Sequence, residues 1–175
     1  DGTDKALLPY SVSERNYTIK RLQPRGANKH AVFFTHANET IDFHYERNIA
    51  DPRISHSLTL EVDDFGNVLQ SAAIGYGRLK VDTSLEQRDR DKQARLFATY
   101  SLNQVTSAID LADARRTPLP AQATTFELAG LAIPAGQFRL TAGDVMGAFA
   151  GAAATELPYE QEATYTSVQR RIIEC

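Results

Sequence analysis

The sequence predicts a mainly β fold: an antiparallel, meandering sheet of short strands with one short helix near 141–154. Three observations carry that expectation. Several runs alternate apolar and polar residues with the period of a half-buried strand. Clusters of Asp, Asn, Gly and Pro stand between them, and these are the residues that turn a chain. Only Thr141–Ala154 joins a capping residue to an apolar stripe at helical spacing.

Taken in order, Asp1–Leu8 reads as a loose lead-in and Tyr17–Leu22 as the first strand. Pro24–Asn28 is a turn. Ala31–His36 is a compact β-branched and aromatic run, and Ala37-Asn38-Glu39 is expected to reverse it into Thr40–Glu46. There Ile41, Phe43 and Tyr45 alternate with Asp42, His44 and Glu46. Asn48–Pro52 is a break, because Pro52 disfavours helix at Asp51.

Ser57–Tyr76 organises the rest. Leu58, Leu60 and Val62 point one way and Thr59, Glu61 and Asp63 the other, so Tyr45, Leu58, Leu60 and Val62 are expected on a buried face. Asp63-Asp64-Phe65-Gly66-Asn67 then turns the chain. Asp63 and Asn67 can bond their own backbone, and Gly66 takes positive φ at little cost. Val68–Tyr76 returns with apolar residues on both faces. Such a strand is either covered on both sides, or covered on one with a cavity against the other.

Residues 80–93 are the most polar stretch and read as an exposed loop with room for a helical turn. Ala94–Asn103 has strand character, Ser107–Arg116 is turn-rich or briefly helical, and Pro118-Leu119-Pro120 fixes an extended linker. Thr124–Gly130 reads as a strand and Phe138–Leu140 as a short one. Thr141 can cap the helix with Asp144 three residues on, and Val145, Met146 and Phe149 form its apolar stripe. Ala163–Glu174 reads as the last strand.

Composition narrows the function. With 175 residues, 42% apolar and 23% charged, the chain can bury a real core. A net charge of −3 argues against a general nucleic-acid binder. Cys175 is the one cysteine, so neither an internal disulfide nor a zinc site of several thiolates can form. No apolar run approaches the ~20 residues that span a bilayer, so direct membrane insertion is not expected. The chain lacks an initiator methionine and stops inside an ordered run. Residues 1–175 are therefore expected to be one fragment of a longer protein.

The candidates for chemistry each have a plainer account. His36 and His44 flank the expected reversal and, with Asp42 or Glu46, are candidates for zinc; inter-strand polar contacts explain them more simply. Glu61 and Asp63 form a carboxylate pair of the glycosidase kind, but Asp at a turn already has structural work. Asp63, Asp64 and Asn67 fall short of a calcium loop. Gly75-Tyr76-Gly77 lacks the third glycine of a nucleotide site. Tyr17, Tyr45 and Tyr76 are candidates for a sugar-stacking platform, against the commoner fate of core packing. The residues thus point to no catalytic, cofactor or metal site.

DDFGNVL resembles the D-x-x-G-N core of Rhs/YD-repeat chains. The run from His44 to Arg78, with Pro9–Pro24 and Ala31–Arg47, is similar to the B component of bacterial insecticidal toxin complexes, the TcaC/TcdB-like proteins; Ala108–Pro120 and Thr125–Leu131 fit less tightly. The resemblance implies a secreted virulence protein whose β-sheet helps form a hollow shell around the cytotoxic C-terminal part of a C component. It implies docking, through the parent protein, onto a pore-forming A component. It carries over no catalytic residue, so the positions that matter are Asp63, Gly66 and Asn67 at the turn and the buried face above. The alternative is a carbohydrate- or protein-binding β module on a secreted virulence factor. Open strand edges are expected to make the fragment self-associate.

Overall fold

A computed structural model describes residues 2, 4 and 6–175. Its strands are β1 (Ser11–Gln23), β2 (Val32–His44), β3 (Arg53–Val62), β4 (Val68–Gly75), β5 (Phe97–Val105), β6 (Ile109–Asp110), β7 (Arg115–Arg116), β8 (Pro120–Ala129) and β9 (Gln169–Glu174). The helices are α1 (Gln87–Gln93) and α2 (Ala142–Gly151), the latter running into a 3-10 turn over Ala152–Thr155. Seven strands make one sheet in the order β1-β2-β3-β4-β5-β8-β9, every neighbour antiparallel. This is the meander the alternating runs predict.

Several expectations are corrected. Ala37-Asn38-Glu39 does not reverse the chain. β2 runs straight through it, with Tyr17 opposite Ala37 and Asn16 opposite Glu39, so Asn38 is the extra residue of a β-bulge. The 80–93 stretch is mostly exposed, but its second half folds as α1. Ser107–Arg116 forms the two-residue arms of the small β6–β7 hairpin, and Phe138–Leu140 is an irregular lead-in to α2 rather than a strand. Of the lead-in Asp1–Leu8, residues 1, 3 and 5 lie outside the described residues.

The buried face is corrected in part too. Thr59 pairs with Ser71 and Glu61 with Gln70, which leaves Leu60 as an extra residue and breaks the alternation there. Leu58 is buried, whereas Leu60 is half-buried against the core. Val62 and Tyr45 are half-buried outside the core cluster, Tyr45 stacking on Phe43 with ring centroids 6.0 Å apart.

The core follows from strand register. One row across the sheet aligns Ile41, His56, Ile74, Ala98 and Leu128; the next aligns Leu58, Ala72, Tyr100 and Phe126. All are buried. α2 covers this face. Thr141 and Asp144 form a reciprocal capping box that fixes its start. Val145 is fully buried, and Phe149 stacks flat on Tyr100 at 4.0 Å and edge-on to Phe126 at 5.1 Å.

The opposite face of the central strands carries mostly small residues, with Phe97, Glu127 and Arg171 toward one end. Ser55, Ser57, Thr59, Ser71, Ala73, Thr99, Ser101 and Thr125 are exposed or half-exposed, with no element laid over them among the described residues. β4 is therefore covered on one side only. A shallow cavity of about 550 Å³ lies against Ala73 and Gly75 on the other.

Candidate functional site

The β3–β4 turn is built around one carboxylate. Asp63 accepts hydrogen bonds from Phe65 N (2.9 Å), Asn67 N (2.8 Å) and Asn67 Nδ2 (2.8 Å). Gly66 sits at φ +90, with the Phe34 ring 3.4 Å from where a Cβ would stand. Burial pushes the Asp63 carboxyl up, but the hydrogen bonds from Asn67, Phe65 and Gly66 outweigh it and hold its pKa below the usual carboxylate value. Lys20 on β1 reaches Asp64 at 2.8 Å and ties the turn to the first hairpin.

A second polar cluster lies inside the covered face. Glu39, two residues before the buried Ile41, points inward, where its Oε1 meets His56 Nε2 at 2.9 Å and Arg139 Nε at 3.3 Å. Asn16 Nδ2 donates to Glu39 Oε2 at 2.7 Å. The other His56 nitrogen, Nδ1, lies 2.9 Å from the Tyr76 hydroxyl, which accepts from Leu140 N at 3.0 Å. The bonds fix the tautomer. A carboxylate only accepts, so Nε2 carries the proton toward Glu39; in the neutral ring Nδ1 then accepts from Tyr76 O–H. Burial, the largest influence, lowers the His56 pKa below 6.5; Glu39 pulls it upward and Arg139 downward.

His56 was not among the candidates the sequence singles out. Its signal was present, since it sits two residues before Leu58 and shares its parity. The other candidates scatter. His36 and His44 lie on one continuous strand, roughly 26 Å apart at ~3.3 Å per residue, so no single ion can reach both. Glu61 is bonded to Gln70, and Asp63 is occupied by its turn. Tyr17 is exposed on β1, while the Tyr76 hydroxyl is spent on His56 and Leu140, so the tyrosines form no shared platform. No helix is long and apolar enough to cross a membrane among the described residues.

The exposed surface also carries an open sheet edge and an apolar groove. β1 ends the sheet without an outer neighbour among the described residues, whereas β9 at the other end is met by Glu156, which bridges Arg170, and by Leu157 N, which donates to the Arg170 carbonyl at 2.8 Å. β1 offers 13 exposed residues, with Tyr17, Ile19 and Leu22 all more than half exposed. A groove of about 750 Å³ opens between the sheet and the 131–139 segment, walled by Ile41, Phe43, Ile54, Leu96 and Leu131 with Phe138 at its rim. Phe138 is 99% exposed.

Comparison with known proteins agrees with this architecture. Residues 1–119 match the family described as insecticide toxin TcdB middle/C-terminal region. Among solved structures, the chain is similar to one described as TcdB2-TccC3, with a TM-score of 0.61 and 24% identity over 73% of this chain. It is similar to TcdB2-TccC3 without its hypervariable C-terminal region at a TM-score of 0.59 and 25% identity, again over 73%. A third match is a mutant Tc holotoxin pore from Photorhabdus luminescens, at 0.58 and 23% over the same share. The chain spans 6% of each of those chains. No curated protein matches it.

Proposed function

This chain belongs to the family of the insecticide toxin TcdB middle/C-terminal region, and from that premise we propose that it is a stretch of wall in a toxin-complex B component. The wall encloses the cytotoxic C-terminal cargo of the C component, and the parent protein hands that cargo on through the pore-forming A component. The complex is secreted. The stretch performs no catalysis; its work is backbone pairing and a closed surface.

The observation that carries the reading is a seven-stranded sheet sealed on one face and ending at β1 in a long strand with no partner on its outer side among the described residues. An open edge is a row of unmet N–H and C=O groups, and compact proteins blunt or cover it. Charges at Arg15, Lys20 and Arg21 temper β1, yet its length and its exposed Tyr17, Ile19 and Leu22 fit a strand that another strand continues. The bare Phe138 and the apolar groove beside it fit surface that a neighbouring part of a larger body covers.

Enclosure is tested in the parent protein assembled with its C component. In a cysteine-free background that includes Cys175→Ser, single cysteines replace Ser57, on the uncovered face, and Met146, on the outer side of α2. A wall predicts that a bulky maleimide labels one position in the intact assembly and both after denaturation. Equal, rapid labelling of both positions in the intact assembly overturns the reading.

A further inference from the structure

His56 is the one buried histidine among the described residues, its side chain wholly inaccessible. It joins β3 to three other pieces of the molecule: Glu39 on β2, Tyr76 just past β4, and, through Tyr76, the backbone of Leu140. Leu140 is 1% exposed and immediately precedes Thr141, the residue that caps α2. We propose that this chain of bonds is an acid-released clip, in which a proton taken up at His56 Nδ1 unfastens Leu140, and with it the start of α2, from the sheet.

The argument is one of hydrogen-bond directions. At neutral pH the ring carries one proton, on Nε2, donated to Glu39. Nδ1 accepts the Tyr76 O–H, and the phenol oxygen keeps its lone pairs for Leu140 N–H. A second proton, drawn from solvent, turns Nδ1 into a donor. Two N–H groups then converge on one phenol oxygen whose own hydrogen has lost its acceptor. Finding that hydrogen a new acceptor turns the phenol O–H, and with it the lone pairs that the Leu140 N–H uses.

The surrounding charges set the sense of the response. Glu39 from β2 favours the imidazolium. Arg139 from the lead-in to α2 opposes it, and is itself held by Glu39 and, at 3.9 Å, by Glu14 of β1. Asp144 of α2 acts on Tyr76 rather than on the ring. Burial exceeds each of these, so the packed state takes up a proton less readily than an opened one. The folded value lies below the ordinary 6.5. The clip's contribution is therefore complete above that pH and is lost as the pH falls through and below it. The inference stands on the packing of this chain alone, whether or not the wall reading holds.

Hydrogen exchange of the chain at pD 7.5 and 5.5, normalised for intrinsic rates, tests it. Amides over 139–150 are expected to lose up to about tenfold protection at the lower value, the most that one proton with an opened-state pKa of 6.5 can supply, while β4 and β5 keep theirs. Tyr76→Phe removes the hydroxyl at little cost in shape. It is expected to lower protection over 139–150 at both values and to flatten the difference between them. Equal protection of 139–150 at both values in the wild type overturns the clip. So does an acid loss that persists undiminished in Tyr76→Phe, which places the responsible proton elsewhere.

Discussion

Replacing Gly130 with alanine measures how tightly the last strand is fitted to the sheet. Gly130 has φ +76, and a Cβ built on it would stand 2.1 Å from the Ser167 carbonyl oxygen. That is about 1.4 Å short of the ~3.5 Å at which nonbonded atoms begin to attract, and the obstacle is backbone, which cannot rotate aside. Two costs add. Holding alanine at positive φ costs about 1–2 kcal/mol. Displacing Ser167–Val168 drags the start of β9, where Gln169 pairs with Ala129 and Arg170 with Leu128; two ladder bonds lost at ~0.5–1.5 kcal/mol each give about 1–3 kcal/mol more. The sum, about 2–5 kcal/mol, is a large share of the ~5–15 kcal/mol that holds a domain together. Gly136→Ala supplies the control, because Gly136 also has positive φ, +82, but nothing within 4 Å of its Cβ position. The gain from a stiffer unfolded chain is common to both variants and cancels. Urea titration followed by far-UV circular dichroism should place Gly130→Ala about 1–3 kcal/mol below Gly136→Ala, with exchange protection lost first in β9. Equal midpoints, or a fully protected β9 in Gly130→Ala, would refute the reasoning.

Three further outcomes follow from the same packing. Asp63→Ala strips the acceptor for three turn hydrogen bonds and should cost about 1–2 kcal/mol at pH 7 by urea titration. Because the folded carboxyl titrates below its ordinary 3.8, that difference should persist above this value and shrink as the pH falls through the folded one. Leu140→Ala empties a site 1% exposed under α2 and should lower stability by about 2–5 kcal/mol, read by the same titration. Sedimentation velocity of the chain over a wide concentration range should show reversible association, and Ile19→Lys, placing a charge on the exposed β1 edge, should shift it toward monomer. Strictly monomeric wild type at high concentration would count against open edges as pairing surfaces.

What the sequence makes legible divides along physical lines. The β3–β4 hairpin is readable because its information is local: alternation carries Leu58, and the Asp63–Asn67 cluster satisfies its own backbone. The α2 cap is readable for the same reason, Thr141 and Asp144 being three residues apart. Asn38 was misread because one residue type serves two devices. Asn turns a chain and also fills a bulge, and only the facing strand decides between them. The Leu60 bulge hides in the same way, since nothing between Thr59 and Glu61 signals that Gln70 will face Glu61. The His56 cluster draws on β2, β3, the end of β4 and the lead-in to α2, so no window of sequence contains it.

A pinned register explains how a single sheet keeps two faces of such different character. Side chains alternate with period two, so a slip of one residue exchanges the faces along an entire strand. Here that would drive Ser57, Ala73 and Thr99 under α2 and expose Leu58, Ala72 and Tyr100. The register is pinned at both ends of β3. At one end, Asp63 and Gly66 admit only the turn they form. Further along, the β2–β3 register sets Glu39 where His56 can meet it, and a slipped pairing would leave a half-buried carboxylate and a buried imidazole without each other. Such an orphaned pair costs several times what the contact itself contributes, so the cluster discriminates against wrong registers more than it stabilises the right one. On the proposed wall reading, a sheet continued by further strands beyond β1 has particular need of this. An error of one residue would pass to every strand added beyond it.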